Sequence, residues 1–94
     1  MKTLRKVEII PVFLDGYLPK NQDLEQNKLY ISKEYNGLKH LCLCGCGEIS
    51  FIPLAPNEWT LTEKEGKVSL TPSLLHRFEC RSHYIITNNV ANFV

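Results

Sequence analysis

The heptapeptide Leu41 to Gly47, LCLCGCG, places three of the four cysteines of a 94-residue chain within five positions. A disulfide requires a particular Cα separation and torsion, so cysteines at i, i+2 and i+4 cannot bridge one another without strain. Cys80 could pair with one of them and would leave two thiols over. In a small domain kept in a reducing compartment, clustered thiols are more often ligands or reactive groups than disulfides. Buried free cysteines behave as small apolar residues, and that reading gives Gly45 and Gly47 no purpose. The cluster therefore predicts a metal site and a fold that brings two loops to one ion.

Thiolates and imidazoles are the preferred ligands of zinc. The chain supplies five strong candidates: Cys42, Cys44, Cys46, Cys80 and His83. Along an extended strand, side chains two apart are separated by about 6.5 Å, too far for two ligands of one ion. The chain must bend, and glycines at 45 and 47 permit it. The preferred set is Cys44, Cys46, Cys80 and His83, with Cys42 as a replacement or supporting thiol and His40 as a weaker sixth candidate. Zn2+ is the favoured ion, since structural zinc in finger peptides contributes about 10–16 kcal/mol of folding energy. A [2Fe-2S] cluster, in which histidine can replace cysteine on one iron, is the competing occupant.

The rest of the chain reads as one domain, residues 1–94, with an N-terminal strand or arm and loop over 1–37 and the motif-bearing core over 38–94. Short β-rich runs recur at 1–13, 29–32, 38–43, 48–54, 59–62, 68–71, 84–87 and 90–94, separated by turn signals such as Asn36-Gly37, Glu65-Gly66-Lys67 and Asn88-Asn89. Pro11 assigns its run to a sheet edge. Residues 14–28 read as a loop with one short helical turn near 22–26. Thr71-Pro72-Ser73 reads as a strand end, followed by a helical turn over 74–77. The expected class is mostly β: a small antiparallel β domain, zinc-ribbon-like or Rieske-like, with two metal-binding loops and little helix.

Other residues invite plainer readings. Trp59 and Phe51 are expected in the core. Arg81 and Ser82 are expected to support the ligands on either side of them. Ser73 is expected to cap the turn after Pro72, because no His and Asp pair is evidently placed to activate it. Glu48 reads as a solvated carboxylate, and His76 has no evident partner. Hydrophobic residues make up 44% of the chain and the formal net charge is +1, which gives no stripe for nucleic acid. Glu8, Pro11 and Asp15 interrupt the N-terminal apolar run before it could serve as a membrane span or signal core. A soluble, cytoplasmic protein is expected.

The segments HLCLCGCG, WTLT, VSLTPS and CRSHYII together resemble a family of small bacterial proteins of unknown function. That family carries a His-x-Cys-Pro-Cys-Gly-Cys-Gly core and downstream Pro-Ser and Cys-x-Ser-His-Tyr motifs. The resemblance covers residues 38–94, and Leu43 departs from the proline usual at its position. Members are often encoded beside ubiquitin-like modifiers and their E1-like and E2-like enzymes, which implies a role in protein conjugation and partners among those proteins. The leading expectation is a non-enzymatic zinc adaptor, since four protein ligands leave no position for substrate. The alternatives are an enzyme of the pathway, either a metal-dependent hydrolase or a transfer protein using a free Cys42, and a [2Fe-2S] redox protein.

Overall fold

In the computed structural model, which describes residues 5–55, 57–76 and 79–94, the chain is built from strands and a single 3-10 turn at Asn21–Asp23. The strands are β1 (Lys6–Glu8), β2 (Ile10–Leu14), β3 (Lys28–Ser32), β4 (Gly37–Leu41), β5 (Ile49–Pro53), β6 (Thr60–Lys64), β7 (Lys67–Leu75), β8 (His83–Thr87) and β9 (Val90–Phe93). They form a five-stranded sheet in the order β1-β9-β8-β7-β6 and a four-stranded sheet in the order β2-β3-β4-β5. The mostly β expectation holds. One pairing departs from the antiparallel rule, since β2 runs parallel to β3.

Period-two alternation places the core. Val68, Leu70 and Leu74 of β7, Tyr84 and Ile86 of β8 and Ala91 of β9 point inward from the larger sheet. They share one apolar cluster with Leu29, Ile31, Leu38 and Ile52 of the smaller sheet, and Cys42 and Leu43 join it at the end of β4. Burial of this order contributes about 25 cal/mol per Å² of apolar surface. Ile9, itself buried, carries the chain from one sheet to the other: its N–H donates to the Asn89 carbonyl at 2.8 Å, and the next N–H donates to Asn27 at 2.9 Å.

Pro11 lies on the edge strand β2, as its missing N–H requires. The β6–β7 hairpin closes at Glu65-Gly66, both with positive φ (53° and 79°), the primed turn that matches strand twist.

Three expectations are corrected. Strand β7 does not end at Pro72; it continues to Leu75, so neither Leu74 nor Leu75 is helical, and Arg77 lies outside the described residues. The proline is tolerated because the ladder to β8 shifts register between Leu70 and Leu74, where no strand N–H of β7 is demanded. Phe51 is not in the core: it is 56% exposed and lies over Gly37, where an added Cβ would come within 2.6 Å of the ring. Trp59 is half-buried and packs against the core from its margin.

Candidate functional site

The loop after β4 turns back sharply. The Gly45 N–H donates to the Cys42 carbonyl at 3.1 Å and the Cys42 N–H to the Glu48 carbonyl at 2.8 Å, while Gly45 and Gly47 take positive φ of 92° and 87°. Those left-handed conformations are the ones glycine adopts without strain. The bend gathers Cys42, Cys44 and Cys46, and the loop before β8 adds Cys80. All four sulfurs lie within 4.8 Å of one another. Individual separations are 3.5 Å for Cys42 to Cys44, 3.8 Å for Cys42 to Cys80 and 3.6 Å for Cys46 to Cys80. Four such sulfurs could hold one metal ion.

Cys42 thus completes the sulfur group, and the group does not include His83. Cys42 is buried in the core cluster, Cys44 is half-buried, and Cys46 and Cys80 face solvent. The Ser82 hydroxyl donates to Cys80 Sγ at 3.4 Å. That bond and the Ser82 backbone N–H hold the Cys80 thiol below its usual range, which favours the thiolate a metal requires. Burial raises the Cys42 thiol instead. Ser82 also anchors the loop, its carbonyl accepting the His76 N–H at 2.9 Å.

His83 opens β8 and its side chain meets β7. Its Nε2 lies 2.8 Å from Ser73 Oγ, and both residues are half-buried. With Nε2 unprotonated, the hydroxyl donates to the ring, which is the geometry of a serine nucleophile and its general base. No hydrogen bond or ion pair among the described residues joins a carboxylate to the His83 ring, so the pair is a dyad rather than a triad. Ser73 is therefore neither a turn cap nor without a histidine. Leu75 pairs with His83 across the ladder, and Ser73, two residues earlier on the same face, is its diagonal neighbour.

Beneath the dyad lies a buried polar network that sequence reasoning missed. The Tyr84 hydroxyl contacts His40 Nε2 at 2.7 Å and His76 Nε2 at 2.6 Å, and accepts the Leu43 N–H at 3.4 Å. His76 thus has a partner, and His40 serves this network rather than the sulfur group. Burial, reinforced by the neighbouring His76, lowers the His40 imidazole to about 3; burial also lowers His76 and raises the Tyr84 phenol. The network joins β4, β8 and the residue that follows β7, and through Leu43 it reaches the loop that carries three of the sulfurs. Glu48 is exposed, and no helix among the described residues is long and apolar enough to cross a membrane.

No curated protein and no solved structure matches the chain. A family model does match, over residues 16–94, so the resemblance extends further upstream than the motifs between 38 and 94 indicated. That family is described as BubE, bacterial ubiquitination-like system serine protease, and the chain belongs to it.

Proposed function

We propose that the protein is a serine hydrolase of a bacterial ubiquitination-like system, with Ser73 as nucleophile, His83 as general base and the four cysteines as a structural zinc site. The 2.8 Å contact between Ser73 Oγ and His83 Nε2 carries this reading, and the family's description as a serine protease agrees with it. In the first half-reaction Ser73 Oγ attacks the carbonyl carbon of a peptide or isopeptide bond and His83 Nε2 takes the hydroxyl proton. The C–N bond then breaks, the leaving amine receives that proton from His83, and an acyl-serine remains. Water, deprotonated by the same ring, hydrolyses the ester and regenerates the hydroxyl.

A zinc–sulfur bond of 2.3 Å sets tetrahedral sulfur separations of about 3.8 Å, close to the three separations of 3.5–3.8 Å in a group whose sulfurs all lie within 4.8 Å of one another. A two-iron cluster would divide its cysteine sulfurs between two ions and spread them further apart, so the spacing favours a single ion. The ion would clamp the β4 loop to the β8 loop, and four thiolates would leave it no open position. The chemistry is then assigned to the dyad rather than to the metal.

The test is labelling with a fluorophosphonate probe, followed by peptide mapping. Wild-type protein should be modified at Ser73, whereas Ser73→Ala and His83→Ala should not be. Absence of labelling in folded, metal-loaded wild type would refute the hydrolase reading.

A second reading, an adaptor that binds a ubiquitin-like modifier or its E1-like or E2-like enzymes, is favoured by one observation. Tyr17 is 83% exposed and stacks at 5.4 Å on Tyr35, itself 49% exposed, which forms an aromatic patch of the kind found at protein interfaces. The two readings are compatible if that patch holds the protein whose linkage Ser73 attacks.

A further inference from the structure

Strand β7 is nine residues long, but its hairpin partner β6 covers only Lys67 to Thr71. Beyond the Thr60–Thr71 pair, β6 leaves the sheet. The Trp59 N–H turns to the Pro53 carbonyl at 3.4 Å, and Trp59 forms an isolated bridge with Leu54, just past β5. Among the described residues no strand pairs with Pro72 to Leu75 on the side away from β8, which leaves an open lane there.

The direction of the main-chain groups along that lane follows from the hairpin. In a two-residue hairpin the flanking pair, here Lys64 and Lys67, is hydrogen-bonded, so odd-numbered residues of β7 direct N–H and C=O toward β6. Even-numbered residues face β8: the Val68 carbonyl accepts the Asn89 N–H at 2.9 Å, and the His76 N–H donates to Ser82 at 2.9 Å. Beyond the register shift, Leu75 lies between Leu74 and His76, which are paired on the β8 side, so its N–H and C=O point away from β8 into that lane; Ser73, whose side chain shares the outer face with His83, follows the same alternation. No backbone partner among the described residues takes them there. Leu75 also presents a side chain that is 62% exposed on the face that carries Ser73 Oγ.

We propose that this lane is the substrate channel: an extended polypeptide segment adds to the sheet as a short strand in line with β6, hydrogen-bonds to the main chain of Ser73 and Leu75, and places an apolar residue against Leu75. An open edge with unpaired main-chain groups recognises extended peptide by strand addition, and side-chain contacts on alternate positions add selectivity. The occupant is a flexible tail or linker, since a folded surface cannot supply an unpaired strand. Having the nucleophile on the receiving strand delivers the bound carbonyl to Ser73 Oγ without further rearrangement. This inference rests on reading Ser73 as the nucleophile and adds how its substrate is held.

Three boronic acid probes on the full, metal-loaded chain test it: phenylboronic acid, a library of capped tetrapeptide boronic acids randomised at every position, and the same library with N-methylated backbone amides. The plain library should bind wild type about tenfold or more tighter than the N-methylated one, which cannot pair with a strand. Leu75→Pro deletes one lane-facing N–H and leaves the bonds to β8, so it should narrow that difference. Equal affinity of wild type for the two libraries would overturn the channel even if phenylboronic acid still bound, and that comparison needs no variant to fold. Failure of all three probes to bind would instead take down the Ser73–His83 reading and the channel with it.

Discussion

Cys80 and His83 stand at opposite ends of one tetrapeptide, the first contributing its sulfur to the four-cysteine group and the second its ring to Ser73. Between them Ser82 is buried and bonded to both sides, through its hydroxyl to Cys80 Sγ and through its carbonyl to the N–H of His76, just past β7. The position of the His83 ring is thus set by a loop whose other end carries one of the four clustered sulfurs.

Metal removal should therefore reach the dyad. Replacing any one of Cys42, Cys44, Cys46 or Cys80 by serine should release the ion and lower Tm by about 10 °C or more. Fluorophosphonate labelling of Ser73 should fall in parallel. Elemental analysis, calorimetry and labelling of the same preparations check this. A Cys42→Ser protein that keeps its metal and its Tm would remove Cys42 from the ligand set.

Ser73 and His83 lie on a half-buried outer face, so the fold should not depend on them. Ser73→Ala and His83→Gln are expected to change stability by about 1 kcal/mol or less while reducing turnover of a cleavable substrate about a thousandfold or more. Loss of turnover together with loss of fold would mean that the pair is structural.

Tyr84→Phe is the sharper stability test. The change removes one oxygen and leaves the facing nitrogens of His40 and His76 without their shared partner in a buried site. An unsatisfied buried group costs about 1–3 kcal/mol, so a loss of about 2–4 kcal/mol is expected in denaturant unfolding. A neutral result would mean that water replaces the hydroxyl.

Acid should weaken the fold through His76. Burial lowers its folded pKa below the usual 6.5, so below that pH the unfolded chain binds a proton that the folded chain does not. Its contribution is complete above about pH 6.5 and declines as pH falls toward the folded value. Tm measured from pH 8 to 5 should fall on the acid side, and His76→Gln should flatten that slope. An unchanged slope in the variant would assign the acid sensitivity to other groups.

Three sulfurs within five residues, with glycines at 45 and 47, announce a bend that gathers them by local chemistry alone, and the strands around Asn36-Gly37, Glu65-Gly66 and Asn88-Asn89 followed from their turn residues. His83 was harder, because a Cys-x-x-His spacing suits a metal equally well. Only the start of β8 at His83 turns the ring toward β7 instead of the sulfurs. Ser73 was hidden by Pro72, which stops most strands and is accommodated here by a local register shift that no single-sequence pattern announces. Phe51 misled for the opposite reason: its run is apolar on both faces, and its ring covers a glycine on the outside of the sheet.

The two strands on either side of Ile9 act as a clasp. β1 closes the larger sheet at β9 and β2 closes the smaller one at β3, so one nine-residue ribbon, residues 6–14, covers an outer edge of each sheet. Both strands precede Gly16, where the family match begins. A chain trimmed to that match would bare two hydrogen-bonding edges at once and would be expected to self-associate through them. Keeping both sheets from pairing with other chains is in that sense the task of residues 6–14, which lie outside the matched segment.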